Sequence, residues 1–301
     1  MRQDRFSQRL EEICAYFESY PQRVFSKPEI TGLLLALQPE WSLPRRMTTD
    51  VFLLRMSEKT PLMHVPVAFP RRTHNYWTWG EVDPLDLLMH LDSRCFASHL
   101  TAAEFHGLTN SPSESLYINI EQPKGSDTDA SLEQYRIDAA FKRPPRVSNT
   151  FGELDGKRVY LLNGKNTNQY GVETLEHKDS KGERTYKLKV TNLERTLIDM
   201  TVRPQYSGGV DGCLEAFKNA ALRLSVPKLC DALARIGHVY PYHQSVGFYM
   251  EASGRYGAND LRLLKEFPQE FDFYLDNQIE DPHYVPEWRL HVPSRFTNLG
   301  H

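Results

Sequence analysis

Four helix starts are written into this sequence by side-chain spacing alone. Ser26/Glu29, Thr101/Glu104, Ser131/Gln134 and Thr191/Glu194 each place a hydroxyl three residues ahead of a Glu or Gln. In that spacing the hydroxyl oxygen accepts an orphan N–H of the first turn, and the longer side chain accepts the N–H of the capping residue. Each pair predicts a helix opening directly behind it. Pro28 strengthens the first, because a proline in the first turn sacrifices no hydrogen bond.

Around that first start the opening eighty residues predict a defined order of elements. Phe6, Leu10, Ile13, Cys14 and Phe17 form a helical stripe over 5–19, which Pro21 ends. Val24-Phe25 is a short extended piece, and a second helix runs through Ile30, Leu33, Leu34 and Leu37. Pro39 and Pro44 bracket a connector. Residues 45–56 predict a third helix with Met47, Val51 and Leu54 inward and Arg45, Thr48, Thr49, Phe52, Arg55 and Lys59 outward. Strands at Leu62–Phe69 and Tyr76–Trp79 then flank a turn over Pro70–Asn75 that carries Arg71 and Arg72. Three helices followed by a basic hairpin predict a winged helix-turn-helix over residues 1–80. In such a domain Arg45, Thr48, Thr49 and Arg55 address the major groove, Lys27, Arg71, Arg72 and His74 address phosphates, and Arg46 is a further DNA-binding candidate. A plain helical subdomain with solvated charges is the competing reading of the same residues.

The charge distribution agrees with a polyanion-binding front. Residues 1–80 hold eleven Lys/Arg against eight Asp/Glu, and the remainder holds 25 against 31, for a net charge of −3. Such asymmetry points to a nucleic-acid-binding end. With 301 residues, 40% apolar and 25% charged, the chain matches a folded protein of about two domains. No apolar run nears the ~20 residues of a membrane span, and the N-terminus lacks an apolar signal core. A cytoplasmic location without membrane association is expected. Cys14, Cys95, Cys213 and Cys230 are too scattered for a zinc ribbon or a disulfide framework, so reduced thiols are expected.

Residues 81–301 predict a larger α+β domain with a helical C-terminal part. A short helix follows Asp83-Pro84, and Gly107 stops the helix begun at Thr101. Strands are expected at Leu116–Ile120, Arg158–Leu162, Val172–His177 and Thr185–Thr191, the last two as a hairpin. Residues 123–130 read as a polar loop and Ser131–Arg143 as a helix. Helices follow over 210–223, 226–236, 242–253 and 258–266, with strand-like pieces at Phe271–Leu275 and Trp288–Val292. Strands followed by a helical run favour α+β over a doubly wound sheet.

Sites for chemistry are sparse. Glu173, Glu176 and Lys178, with Asp155 upstream, suit a nuclease that holds Mg²⁺, but no aspartate-bearing strand precedes them. His238 and His243, with Tyr240 and Tyr242, lack a third metal ligand. Ser98 and His99 are adjacent on an expected helix, where neighbours do not face each other, so no nucleophile–base pair is expected there. Neither glycine-rich phosphate cradle occurs. The chain is therefore expected not to be an enzyme and to use no catalytic residue, metal or cofactor. A DNA-binding defence effector with a nuclease-like C-terminal domain is the alternative.

Two segments resemble a known family. Ser98-His99-Leu100-Thr101-Ala102-Ala103-Glu104-Phe105-His106-Gly107-Leu108 is similar to the S-H-L-S-A…H-G-L signature of the AbiEi antitoxin family. Glu194-Arg195-Thr196-Leu197-Ile198-Asp199, followed by Arg203-Pro204-Gln205-Tyr206-Ser207-Gly208-Gly209, resembles its E-R-T-L-x-D…R-P-x-x-x-G-G. The similarity spans roughly residues 5–225. It implies a transcriptional regulator and antitoxin of a type IV toxin–antitoxin or phage-defence system, acting as an autorepressor. The implied partners are double-stranded promoter DNA, bound at inverted repeats as a homodimer or as two monomers, and a nucleotidyltransferase-like toxin. The resemblance makes Ser98, His99, Glu194, Arg195 and Asp199 the candidates for antitoxin function. Glu194 already has a capping role, and Arg195–Asp199 reads equally as a helix-surface pair or a contact site.

Overall fold

The computed structural model describes residues 4–125 and 132–296, so Ser131 and the end of the 123–130 loop lie outside the described residues. The fold is mixed α+β, and the chain divides into two compact units. The first holds residues up to Ser93 together with Gly152–Gly156 and Glu176–Leu188, and the second holds the remainder.

The first unit begins with α1 (Arg5–Gln8), α2 (Leu10–Ser19), β1 (Val24–Ser26) and α3 (Lys27–Leu37). The Ser26/Glu29 box is complete: Glu29 N–H donates to Ser26 Oγ, and Ser26 N–H donates to Glu29 Oε2 at 2.6 Å. There follow α4 (Thr49–Lys59), β2 (Leu62–Phe69), β3 (Arg72–Trp79) and α5 (Pro84–Met89). The sheet order is β1-β3-β2, antiparallel throughout. Pro66 sits in the edge strand β2, where its missing N–H is tolerated. A ring-rich core closes the unit: Phe17 stacks on Trp79 at 5.2 Å, and Trp41 stacks on Phe52 at 6.2 Å.

The first unit passes the expected boundary at residue 80. Tyr76 hydroxyl donates to the His90 carbonyl at 2.8 Å, which ties α5 to β3. Lys181 pairs with Glu81 at 2.6 Å, and Arg184 donates to the Trp79 carbonyl at 3.3 Å. The hairpin is also longer than expected. Its turn is Pro70-Arg71 alone, because Arg72 already pairs with Phe69 and Thr73 with Ala68.

The chain continues through β4 (Phe96–Ala97), α6 (His99–Phe105), β5 (Ser115–Asn119), α7 (Gln134–Phe141), β6 (Phe151–Leu154), β7 (Lys157–Leu162), β8 (Val172–Lys178) and β9 (Thr185–Thr191), of which residues 152–154, 176–178 and 185–188 belong to the first unit and the rest to the second. Their sheet order is β6-β7-β5-β4-β9-β8, with β5 parallel to β7, β4 parallel to β9, and β8 beside β9 as expected. The helical part follows as α8 (Leu193–Val202), α9 (Gly209–Ala220), α10 (Val226–Ile236), α11 (Tyr242–Ser253) and α12 (Ala258–Lys265). A small sheet of β10 (Phe273–Tyr274), β11 (Pro282–Val285) and β12 (Leu290–Pro293), in the order β10-β12-β11, and a 3-10 turn at Ser294–Phe296 end the described chain.

Two of the predicted capping boxes are displaced. The helix expected at Thr101 starts at His99 behind Ser98, and Thr101 Oγ1 instead accepts the Tyr117 N–H at 2.8 Å. At α8 the cap is Asn192, whose side chain accepts Arg195 N–H at 3.0 Å, while Glu194 accepts Ser225 N–H at 3.3 Å. In both places a longer-range acceptor role claims a side chain that sequence spacing assigns to a cap. Gly107 does end α6, at φ +62° in the left-handed region.

The core of the second unit closes on Trp288, which is fully buried. A Cβ on Gly247 of α11 would lie within 2.1 Å of that indole, so only glycine admits the ring. Gly247→Ala is expected to cost about 1–3 kcal/mol through overpacking. Thermal unfolding that leaves the melting temperature unchanged would contradict this packing. Among the described residues no helix is long and apolar enough to cross a membrane, and none of the four cysteines is in a disulfide.

Candidate functional site

In the first unit α4 is rotated relative to its expected phase. Phe52, Leu53 and Met56 are buried, whereas Val51 and Leu54 are 44% and 62% exposed. Phe52 is held inward by its contacts with Phe6, Phe17 and Trp41. It is therefore a core residue, contrary to the outward position expected of it. Arg45 and Arg46 precede the helix, in a turn where Met47 N–H donates to the Pro44 carbonyl at 2.8 Å. Thr48 is the N-cap and accepts Val51 N–H at 3.4 Å. Thr49 turns toward α3, with its hydroxyl 3.0 Å from that of Thr31.

The expected cations fall into two groups. Lys27 pairs with Asp50 at 2.6 Å. Arg55 pairs with Asp4 at 3.1 Å and lies 5.4 Å from the centre of the Phe6 ring. The side chains of Arg45, Arg46, Arg71 and Arg72 are exposed and make no hydrogen bond or ion pair among the described residues. His74 is half-buried, stacked on Tyr76 and edge-on to Phe69. Burial, with Arg72 nearby, holds its pKa below the ordinary histidine value, so it offers a hydrogen bond rather than charge at neutral pH. Arg46 and Arg55 meet Arg5, which sequence reasoning did not single out, around one hollow of about 660 Å³ that also holds Asp4 and Val51.

In the second unit the charged motif is a buried cluster. Arg195 and Asp199 are 3% and 6% exposed, so their i, i+4 pair lies inside the unit and not on a helix surface. Arg195 Nε donates to Asp199 Oδ1 at 2.7 Å. Its Nη1 donates to Thr167 Oγ1 and to the Tyr170 carbonyl, both at 2.8 Å, and its Nη2 lies 3.6 Å from Glu121. Glu121 in turn accepts the backbone N–H groups of Thr167 and Gln169 at 2.9 and 3.0 Å. One guanidinium thus fastens α8 to the exit of β5 and to the loop ahead of β8. Glu121 and Thr167 were not anticipated. A buried acid two residues past a strand offers no local pattern.

Ser98 and His99 contradict the expectation that they cannot meet. Ser98 Oγ lies 2.8 Å from His99 Nδ1. Ser98 is extended, and His99 has φ +51°, a left-handed conformation that turns the two side chains toward each other. A non-glycine residue held there costs about 1–3 kcal/mol of strain. His99 is pushed down to about 4 by burial, with Asp199 opposing and Arg195 and Arg203 reinforcing. His238 is likewise pushed down to about 4 by burial.

The nuclease candidates do not assemble. Glu173, Glu176 and Lys178 are exposed, and the odd spacing of the two carboxylates puts them on opposite faces of β8. His243, stacked on Phe267, is also pushed down to about 4 by burial. No group of three metal-capable side chains occurs among the described residues.

Arg195→Ala would leave Glu121 and Asp199 buried without their cation, an expected loss of about 3–5 kcal/mol. Denaturant unfolding that shifts by under about a fifth of that would contradict the cluster's role. The histidines set a pH dependence. Between pH 6.5 and about 4 the unfolded chain takes up protons that His99, His238 and His243 refuse in the folded state. Stability is therefore full above pH 6.5 and falls as pH is lowered through that window, by up to about 1.4 kcal/mol per pH unit for each ring. His238→Gln should flatten the slope measured by denaturation at pH 7, 5.5 and 4.5. A slope identical to the parent's would contradict the assignment.

No protein-family model matches the chain, and no curated protein matches it. Among solved structures it is similar to the crystal structure of the RV2827C protein from Mycobacterium tuberculosis, with a TM-score of 0.59 and 16% identity. The similarity covers 97% of this chain and 92% of that one, so the two share a fold along nearly their whole length.

Proposed function

We propose that the chain is a DNA-binding transcriptional regulator and the antitoxin of a type IV toxin–antitoxin pair, with its first unit acting as a winged helix-turn-helix. The observation that carries the reading is the set of four unpartnered, exposed arginines. Arg71 and Arg72 sit at the tip of a two-residue hairpin, and Arg45 and Arg46 sit just ahead of the Thr48-capped start of α4. The element order supports it: α3 and α4 are followed by the antiparallel hairpin of β2 and β3, as in a winged helix-turn-helix. These arginine side chains make no ion pair among the described residues, and phosphate contacts are what such side chains supply to DNA.

Lys27 and Arg55 are secondary on this reading. Their ion pairs are exposed, and such pairs are worth only ~0–1 kcal/mol, so DNA can compete for the cations. Val51 and Leu54 give α4 an apolar contact surface suited to thymine methyl groups. The likeness of the two sequence segments to AbiEi antitoxins supports the antitoxin role, with promoter DNA at inverted repeats and a nucleotidyltransferase-like toxin as partners. Ser98, His99, Arg195 and Asp199 then act by shaping the second unit, since all four are buried.

Mobility shift with DNA from upstream of the protein's own gene tests the reading. Specific binding is expected, and its log affinity should fall steeply with log salt. Arg71→Ala with Arg72→Ala should flatten that slope by about 0.9 for each phosphate contact removed. Binding with an unaltered slope would remove the wing from the interface, and no binding of upstream DNA at low salt would remove the function.

A further inference from the structure

The second unit holds a cavity of about 760 Å³ between the ends of β5 and β7 and the C-terminal half of α8. Among the described residues, five Lys or Arg side chains line it against one carboxylate, that of Asp199. Two of the cations are committed: Arg195 to the buried cluster, and Lys165 to the carbonyls at the end of α10. The side chains of Lys124, Arg146 and Arg203 are exposed and make no hydrogen bond or ion pair among the described residues. The buried lining residues His99, Arg195 and Asp199 form the floor, and the exposed cations form the rim.

The floor holds an independent sign of a ligand. Asp199 Oδ1 is taken by Arg195, but Oδ2 is buried with no hydrogen-bond partner. His238 Nε2, also on the lining, is a second such atom. Buried polar atoms without partners are rare because each forfeits the hydration it had in the unfolded chain. A carboxylate oxygen in this position requires a donor, such as a hydroxyl or an amine. Tyr240 and Tyr242 add aromatic surface to the wall.

We propose that this cavity binds a nucleotide, with the phosphate at the rim cations Lys124, Arg146 and Arg203 and a ribose hydroxyl or base amine donating to Asp199 at the floor. The polarity of the site fixes this orientation. Among the described residues the uncommitted cations stand at the open rim, and the unsatisfied carboxylate oxygen stands at the floor. His99 and His238 are uncharged at neutral pH, so they add hydrogen-bonding capacity without cancelling Asp199. A bare phosphate would satisfy the rim and leave the floor unsatisfied. A nucleoside would do the reverse.

Isothermal titration calorimetry on the full chain tests this with the mono-, di- and triphosphates of the four ribonucleosides, the nucleosides themselves and inorganic phosphate. At least one nucleotide is expected to bind at one per chain, with its nucleoside and inorganic phosphate each at least about tenfold weaker. Arg146→Ala with Arg203→Ala changes only exposed side chains. It should weaken the nucleotide about tenfold or more while leaving the melting temperature in place. Arg71→Ala with Arg72→Ala in the first unit should leave nucleotide affinity unaltered, which separates this site from the DNA-binding surface. No heat from any nucleotide at millimolar concentration would overturn the proposal. So would inorganic phosphate binding as tightly as every nucleotide, or nucleotide affinity unmoved by the Arg146/Arg203 double substitution.

Discussion

The second unit depends on one buried guanidinium. Arg195 emerges from the first turn of α8 and reaches three separate stretches of chain: its own helix at Asp199, the exit of β5 at Glu121, and the loop at Thr167 and Tyr170. None of these stretches could be held by apolar packing alone, because each presents backbone or carboxylate groups that need partners when removed from water. The planar fork of arginine supplies several donors in fixed directions, and lysine could not replace it. The same residue leaves Asp199 half satisfied at the floor of the cavity, so the fastening of the fold and the open hydrogen-bonding position share one origin.

The first unit is organised differently. Its centre is a set of interlocking rings from α2, α4, β3 and the connector at Trp41, and these rings set the rotation of α4. With Phe52 inward, the outer side of α4 carries Val51 and Leu54, and its two outermost cations turn back to Asp4 and Ser7. Free positive charge is left at the hairpin tip and in the turn before the helix. A DNA-binding role therefore rests on loops and helix starts more than on the helix face, and loops carried by a rigid scaffold are where binding residues concentrate.

Much of this architecture was legible from sequence, and the misses share a cause. Local signals located the hydrophobic stripe of α2, the Ser26/Glu29 cap, the strands β2 and β9 and the helices α10 and α11. What failed needed long-range information. The phase of α4 was misread because Val51 and Leu54 look like core residues until Phe52 and Leu53 are seen to occupy that core. The strands β4, β6 and β11 hold two to four residues each, too few to display alternation. At the site, Ser98, His99, Arg195 and Asp199 were singled out, but their burial was not visible. Neither was Glu121, whose importance comes only from where the chain folds back on it.

The central claim is that the unpartnered arginines of the first unit meet DNA. Photo-crosslinking of the full chain to its own upstream DNA, followed by mass mapping of the attached peptides, tests it most directly. The account predicts attachment within residues 44–50 and 69–73. Attachment confined to peptides beyond residue 189 would contradict it.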